Sequence, residues 1–207
     1  MVRQRVRIRF SKQGDLRLIS HRDLVRTFER MFRRAGLALS MSEGFHPKVK
    51  MSFPSALALG IEGTNELMEV ELSSPLSPDA LMELLSRVAP VGLVIRSATT
   101  MDAKSKGRLE AVMYELPVPE GRRSDVSQAV RNFVAQTEHF VDRRQGKPSV
   151  DLCAGLKNLE LANGTLRIEQ QIREGAVPKP REILSALGLD DLEAESIWLT
   201  RTHVEIS

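Results

Sequence analysis

Arg22, Arg26 and Arg30 recur every four residues, with Arg33 and Arg34 close behind. On a helix these positions form one continuous cationic stripe, interrupted only by the acids Asp23 and Glu29. Like charges at i,i+4 repel, so a stripe of one sign loses stability that an anionic partner would restore. A solvated polar side is the plainer explanation, since every amphipathic helix needs one. A second set, Arg3, Arg5, Arg7 and Arg9, alternates with Val6, Ile8 and Phe10. On a strand, those four arginines project from one face, where they would contact phosphates and stack on bases. Glu69 and Glu71 alternate with Met68 and Val70 in another strand-like stretch. Cross-strand Arg–Glu pairs, worth roughly 0.2–1 kcal/mol each, are the competing expectation.

The third set is the loop Gly44-Phe45-His46-Pro47-Lys48-Val49-Lys50. Phe45 there would stack on a base or fill a partner pocket, or else tuck into the core. His46 offers an imidazole to the same contact, and Lys48 and Lys50 add positive charge. Catalysis has little support. An acid–base pair would need His21 and His46 brought together. The sequence holds no nucleophile elbow and no P-loop, and its histidines (His21, His46, His139, His203) lack metal-ligand spacing. The single Cys153 excludes an internal disulfide and a cysteine-held cluster, and reads as a small buried hydrophobe. No metal or cofactor is expected.

These residues sit in a chain of 207, enough for one or two domains of roughly 100–200 residues. It is 42% hydrophobic and 28% charged, which is globular rather than disordered. The net charge is only +3, so a uniformly basic nucleic-acid binder is excluded. The distribution is uneven: residues 1–50 hold 13 basic and 4 acidic side chains, a local +9. No apolar run approaches the ~20 residues of a membrane span, and arginines interrupt residues 1–10 where a signal core would stand. A cytoplasmic protein with no membrane partner is expected.

The elements that must position these residues read as two similar halves. A strand at 6–10 precedes a helix with Ser20 as N-cap, Asp23 in its first turn and Gly36 at its end. A strand at 37–41 follows, then the loop, a bend at Gly60 and Gly63, and a strand at 66–72. Pro78 opens a second helix, and 93–98 is a final strand. That βαββαβ order predicts a ferredoxin-like unit, an antiparallel sheet with both helices on one face. The order returns after a polar linker. It comprises a strand at 109–117, a helix capped by Ser124, a strand at 140–144 and a hairpin turning at Asn163-Gly164. A helix opened by Pro180 and a strand at 197–206 complete it. Residues 147–156 have no clear assignment. The expectation is α+β, two ferredoxin-like (βαββαβ) units in tandem: a basic unit at 1–100, a linker at 101–110 and a second unit at 111–207. Recognition-motif sheets stack bases on Phe or Tyr, and the first strand offers none on its open face, so sequence-specific readout of that kind is disfavoured.

The same stretches carry a family likeness. It begins with Ile8-Arg9-Phe10-Ser11-Lys12, Ile19-Ser20-His21-Arg22-Asp23-Leu24, Phe28-Glu29-Arg30 and Arg33-Arg34-Ala35-Gly36-Leu37. Ser42-Glu43-Gly44-Phe45-His46-Pro47, Met51-Ser52-Phe53 and Ala58-Leu59-Gly60-Ile61-Glu62 continue it. Arg143-Arg144, Val150-Asp151-Leu152, Lys179-Pro180-Arg181-Glu182-Ile183-Leu184 and Arg201-Thr202 extend it along nearly the whole chain. Together they resemble the bacterial radical-SAM-linked protein family, a domain of unknown function. The resemblance implies a partner, a radical S-adenosylmethionine (SAM) protein with a cobalamin-binding-type domain. With one cysteine, this chain has no C-x₃-C-x₂-C triplet for the radical cluster, so it would be the accessory half. The expectation is a non-catalytic accessory protein presenting an anionic substrate such as RNA. Two alternatives stay open: a small metal-independent ribonuclease or RNA-modifying enzyme using His21 and His46, and a pure protein–protein module.

Overall fold

Alternation of arginine with Val6, Ile8 and Phe10 produces β1 (Gln4–Lys12), whose apolar side chains are fully buried. The computed structural model describes residues 3–102, 107–143, 148–172 and 177–207. The chain divides into two units, Met1–Leu109 with Ser207, and Glu110–Ile206.

In the first unit β1 leads through a 3₁₀ turn (Gly14–Leu18) into α1 (His21–Arg34). There follow β2 (Met51–Ser52), β3 (Glu62–Leu72), α2 (Pro78–Val88) and β4 (Leu93–Met101). The strand order is β4-β1-β3 with β2 on the far side of β3, and every pair is antiparallel. Val6, Ile8, Phe10, Met68, Val70 and Leu72 from the strands meet Leu24, Phe28, Met31, Phe32, Leu81 and Leu85 from the helices. Each such side chain contributes about 1.5–3 kcal/mol on burial. Aromatic edges lock the layer, with Phe10 and Phe28 centred 5.0 Å apart. Gly92 stands at φ +87°, and a Cβ there would lie 2.5 Å from the Gln13 carbonyl. Only glycine lets the α2–β4 turn approach the start of the 3₁₀ turn so closely.

The strand expected at 37–41 does not form. Leu39 and Met41 make only isolated bridges, to Leu72 and Val49. The edge of β3 is divided between two segments. The Ser40 N–H donates to the Glu71 carbonyl, and the Glu71 N–H donates to the Lys50 carbonyl. Neither segment therefore runs far along the edge.

The second unit contains β5 (Leu109–Pro117), α3 (Arg123–Val134), β6 (Phe140–Val141), β7 (Val150–Asp151), β8 (Leu156–Ala162), β9 (Thr165–Gln171), α4 (Pro180–Ala186) and β10 (Thr200–Ile206). Its strand order is β10-β5-β9-β8, while β6 and β7 pair with each other. Asn163 and Gly164 both take positive φ, 50° and 77°, the backbone a two-residue hairpin turn requires. Ser124 does not cap α3. A 3₁₀ turn (Glu120–Arg122) runs directly into the helix, so its cap position is already helical and no side chain bonds there. The strand expected at 140–144 shortens to two residues, Arg144 lying outside the described residues, and the last strand begins at Thr200 rather than at 197. Four α-helices and ten strands among the described residues make this an α+β protein. No helix of the described residues is long and apolar enough to cross a membrane.

Candidate anion-binding surface

The β1–β3 register sets Arg7 opposite Glu69 and Arg5 opposite Glu71. Glu69, only 6% exposed, lies between two arginines. Its Oε2 accepts from Arg5 Nη2 at 2.9 Å, and its Oε1 accepts from Arg7 Nη2 at 2.9 Å and Nε at 3.2 Å. Arg3 Nε stands 3.5 Å from Glu71 Oε1, with Lys50 Nζ 4.0 Å from the same oxygen. Arg9 Nη1 donates to Asn65 Oδ1 at 3.0 Å, and burial, then the neighbouring Arg7, lowers the Arg9 pKa. Arg3, Arg5 and Arg7 are thus engaged by an ion ladder, with charge-assisted bonds at its centre, and Arg9 by an amide. The carboxylates are those the alternation marks. The roles of Asn65 and Lys50 carry no pattern that reading a sequence detects.

The α1 arginines are placed differently. Ser20 Oγ accepts from the Asp23 N–H at 3.2 Å and donates to Asp23 Oδ2 at 2.6 Å, fixing the start of the helix. The Ser20 hydroxyl, then Arg26 and Arg22, hold the Asp23 carboxyl below its ordinary pKa against a smaller opposing effect of burial. Leu24, Phe28, Met31 and Phe32 turn inward, which leaves Arg22, Arg26, Arg30, Arg33 and Arg34 exposed. Arg26 Nη1 lies 3.5 Å from Asp23 Oδ1. Arg30 donates to Thr27 Oγ1 at 3.3 Å, and Arg33 to the Glu29 carbonyl at 3.4 Å. Among the described residues, no ion pair engages Arg22, Arg30, Arg33 or Arg34. Arg33 and Arg34 occupy the last turn, where a cation favours the helix dipole. Arg22 sits at the opposite end and has no such compensation.

The loop carrying Phe45 is closed at its neck. The Ser42 N–H donates to the Lys48 carbonyl at 2.8 Å, and the Lys48 N–H donates to Ser42 Oγ at 2.9 Å. Phe45 at its tip is 103% exposed, so it does not tuck into the core. His46 and Lys48 are exposed beside it, and Lys50 is half-buried. His21 packs edge-on against Phe53, ring centres 5.2 Å apart. No hydrogen bond or ring contact joins His21 to His46. In the second unit, His139 Nδ1 lies 2.8 Å from Gln136 Oε1 and its ring rests on Phe133. Among the described residues, no group of three or more His, Cys, Asp or Glu side chains is placed to hold a metal ion.

Several quoted motif residues prove to be scaffolding. Arg143 grips Glu182 with two bonds, Nε to Oε1 at 2.8 Å and Nη2 to Oε2 at 2.7 Å, and also donates to the Val177 carbonyl. Glu182 also accepts from the Lys179 N–H at 2.7 Å at the start of α4. Burial by itself would raise the Glu182 pKa; these bonds outweigh it, and the net shift is downward. Asp151 Oδ1 accepts from the His139 and Cys153 N–H groups. Pro180 with Glu182 soon after is a legible helix start, whereas the Arg143–Glu182 pairing spans 39 positions and is not.

Residues 5–181 match the family described as "Uncharacterized protein conserved in bacteria (DUF2344)". The chain belongs to this family. The match includes the helix stripe, the Phe45 loop and Arg143, and ends one residue before Glu182. A search of curated proteins finds no match. Among solved structures, the "Crystal Structure of an Unknown Protein from Galdieria sulphuraria" is similar across 100% of this chain and 99% of that one. Its sequence identity is 12% and its TM-score 0.31, too distant to inform either fold or function.

Proposed function

We propose that this protein is a non-catalytic accessory protein that docks on a radical SAM enzyme of the cobalamin-binding type and presents an anionic substrate, RNA, to it. The radical SAM link rests on the motif resemblance. The anionic substrate rests on one observation, the exposed α1 arginines, of which Arg22, Arg30, Arg33 and Arg34 make no ion pair among the described residues. In this reading the strand arginines stiffen the sheet beside the substrate path, and the helix stripe supplies phosphate contacts. Phe45, with His46 and Lys48, would make the directed contact, a base stacking on the exposed ring. The strand orders β4-β1-β3-β2 and β10-β5-β9-β8 support reading the units as two ferredoxin-like folds in tandem. The proposed setting is the bacterial cytoplasm, whose reducing conditions suit a single unpaired thiol.

The test is the triple variant Arg22→Glu/Arg26→Glu/Arg30→Glu, titrated with bulk RNA at low salt. A loss of about tenfold or more in affinity is expected, because reversing phosphate-facing charges removes counterion release. Unchanged affinity in a folded variant sinks the reading. The Phe45→Ala variant is expected to weaken binding with little change in its salt dependence, since stacking carries no net charge.

A further inference from the structure

Beside the arginine stripe, the 3₁₀ turn, α1 and the end of α2 enclose a groove of about 670 Å³. Its floor is aliphatic: Leu16, Ile19, Met31, Val88 and Pro90. Arg30, Arg33 and Arg34 border it towards the C-terminal end of α1, and Asp23 borders it towards the N-terminal end. The volume lies in the range of built binding sites, roughly 300–1,000 Å³. It is an apolar trough with cations at one end, and among the described residues no ion pair engages those cations.

We infer that this groove takes an acidic amphipathic segment of a partner protein, its apolar side chains on the floor and its carboxylates against Arg30, Arg33 and Arg34. Helix-in-groove recognition needs such a floor to receive residues spaced i, i+3, i+4 and i+7. Charge complementarity sets the sign of the partner and the direction in which it lies. Asp23 stays ionised under the Ser20 and Arg26 contacts and repels carboxylates from its own end. Nucleic acid suits the floor poorly, because bases stack on aromatic rings and, among the described residues, no aromatic side chain lines the groove. The inference deepens the accessory reading by naming where a partner enzyme docks, and rests on that reading for the partner's existence.

The experiment titrates the ¹⁵N-labelled full chain with a synthetic peptide carrying leucines at i, i+3, i+4 and i+7 and glutamates elsewhere. Controls are a scrambled peptide of the same composition and an oligouridylate. Saturable shifts at the amides of Ile19, Thr27, Met31 and Val88 are expected with the patterned peptide only. Arg34→Glu, an exposed change compatible with the fold, is expected to weaken that binding about tenfold. No saturable shift, equal shifts from the scrambled peptide, or insensitivity to Arg34→Glu would each overturn it. RNA affinity measured on Arg22→Glu/Arg26→Glu, two arginines that do not line the groove, is a separate readout, so a failed groove and a failed RNA reading are told apart.

Discussion

Glu69 is the residue on which the open face of β1 depends. It is buried, and Arg5 and Arg7 each donate to a different one of its oxygens. Glu69→Ala is expected to cost about 1.5–3 kcal/mol, since two guanidinium groups lose their shared acceptor. Arg5→Ala should cost less, because Arg7 keeps its two bonds to Oε1. Urea denaturation of both variants checks the order. Glu182 supplies a pH-dependent contribution. Its folded pKa lies below the ordinary value of 4.5, so its stabilisation is fully present above that value and fades as pH falls through the lower folded one. Glu182→Gln should therefore flatten part of the acid limb of the stability–pH curve and lower stability by about 2 kcal/mol at neutral pH. An unchanged acid limb would count against the assignment. Cys153 is shifted the other way. Burial first, then Asp151 and Glu138, raise its thiol pKa, so alkylation at neutral pH should run slower than for a free thiol.

Among the elements, α1 was the most legible. Its N-cap, apolar spacing and glycine stop are local signals, and the helix runs His21–Arg34 with Ser20 as cap and Gly36 at φ +66° after it. Ser20→Ala should cost about 0.5–2 kcal/mol by thermal melting, because the Asp23 N–H loses its acceptor. The Asn163-Gly164 hairpin was equally readable, for a turn type is dictated by two residues. Segments whose conformation depends on distant partners were not. Residues 37–41 look like a strand, yet they share the edge of β3 with β2 and its neighbours and make only bridges. Ser124 looks like a cap, yet the preceding 3₁₀ turn already supplies the helical start.

For the whole molecule, charge distribution carries more information than net charge. The chain is +3 overall while residues 1–50 hold 13 basic against 4 acidic side chains. RNA affinity is expected to fall steeply and log-linearly with salt, with a shallower slope for the triple arginine variant. A salt-independent affinity would point to a different contact. Sequence alone determined α1, the Asn163-Gly164 hairpin, the helix stripe and the alternation that aims arginines and glutamates to one side of their strands, because periodicity and capping act between near neighbours. Only the tertiary structure decided which cations are engaged. Antiparallel pairing placed Glu69 between Arg5 and Arg7, residues more than sixty positions away, while among the described residues only Asp23 pairs with an α1 arginine. The exposure of Phe45 and the groove beside α1 belong to the same class, since both depend on what the rest of the chain leaves uncovered.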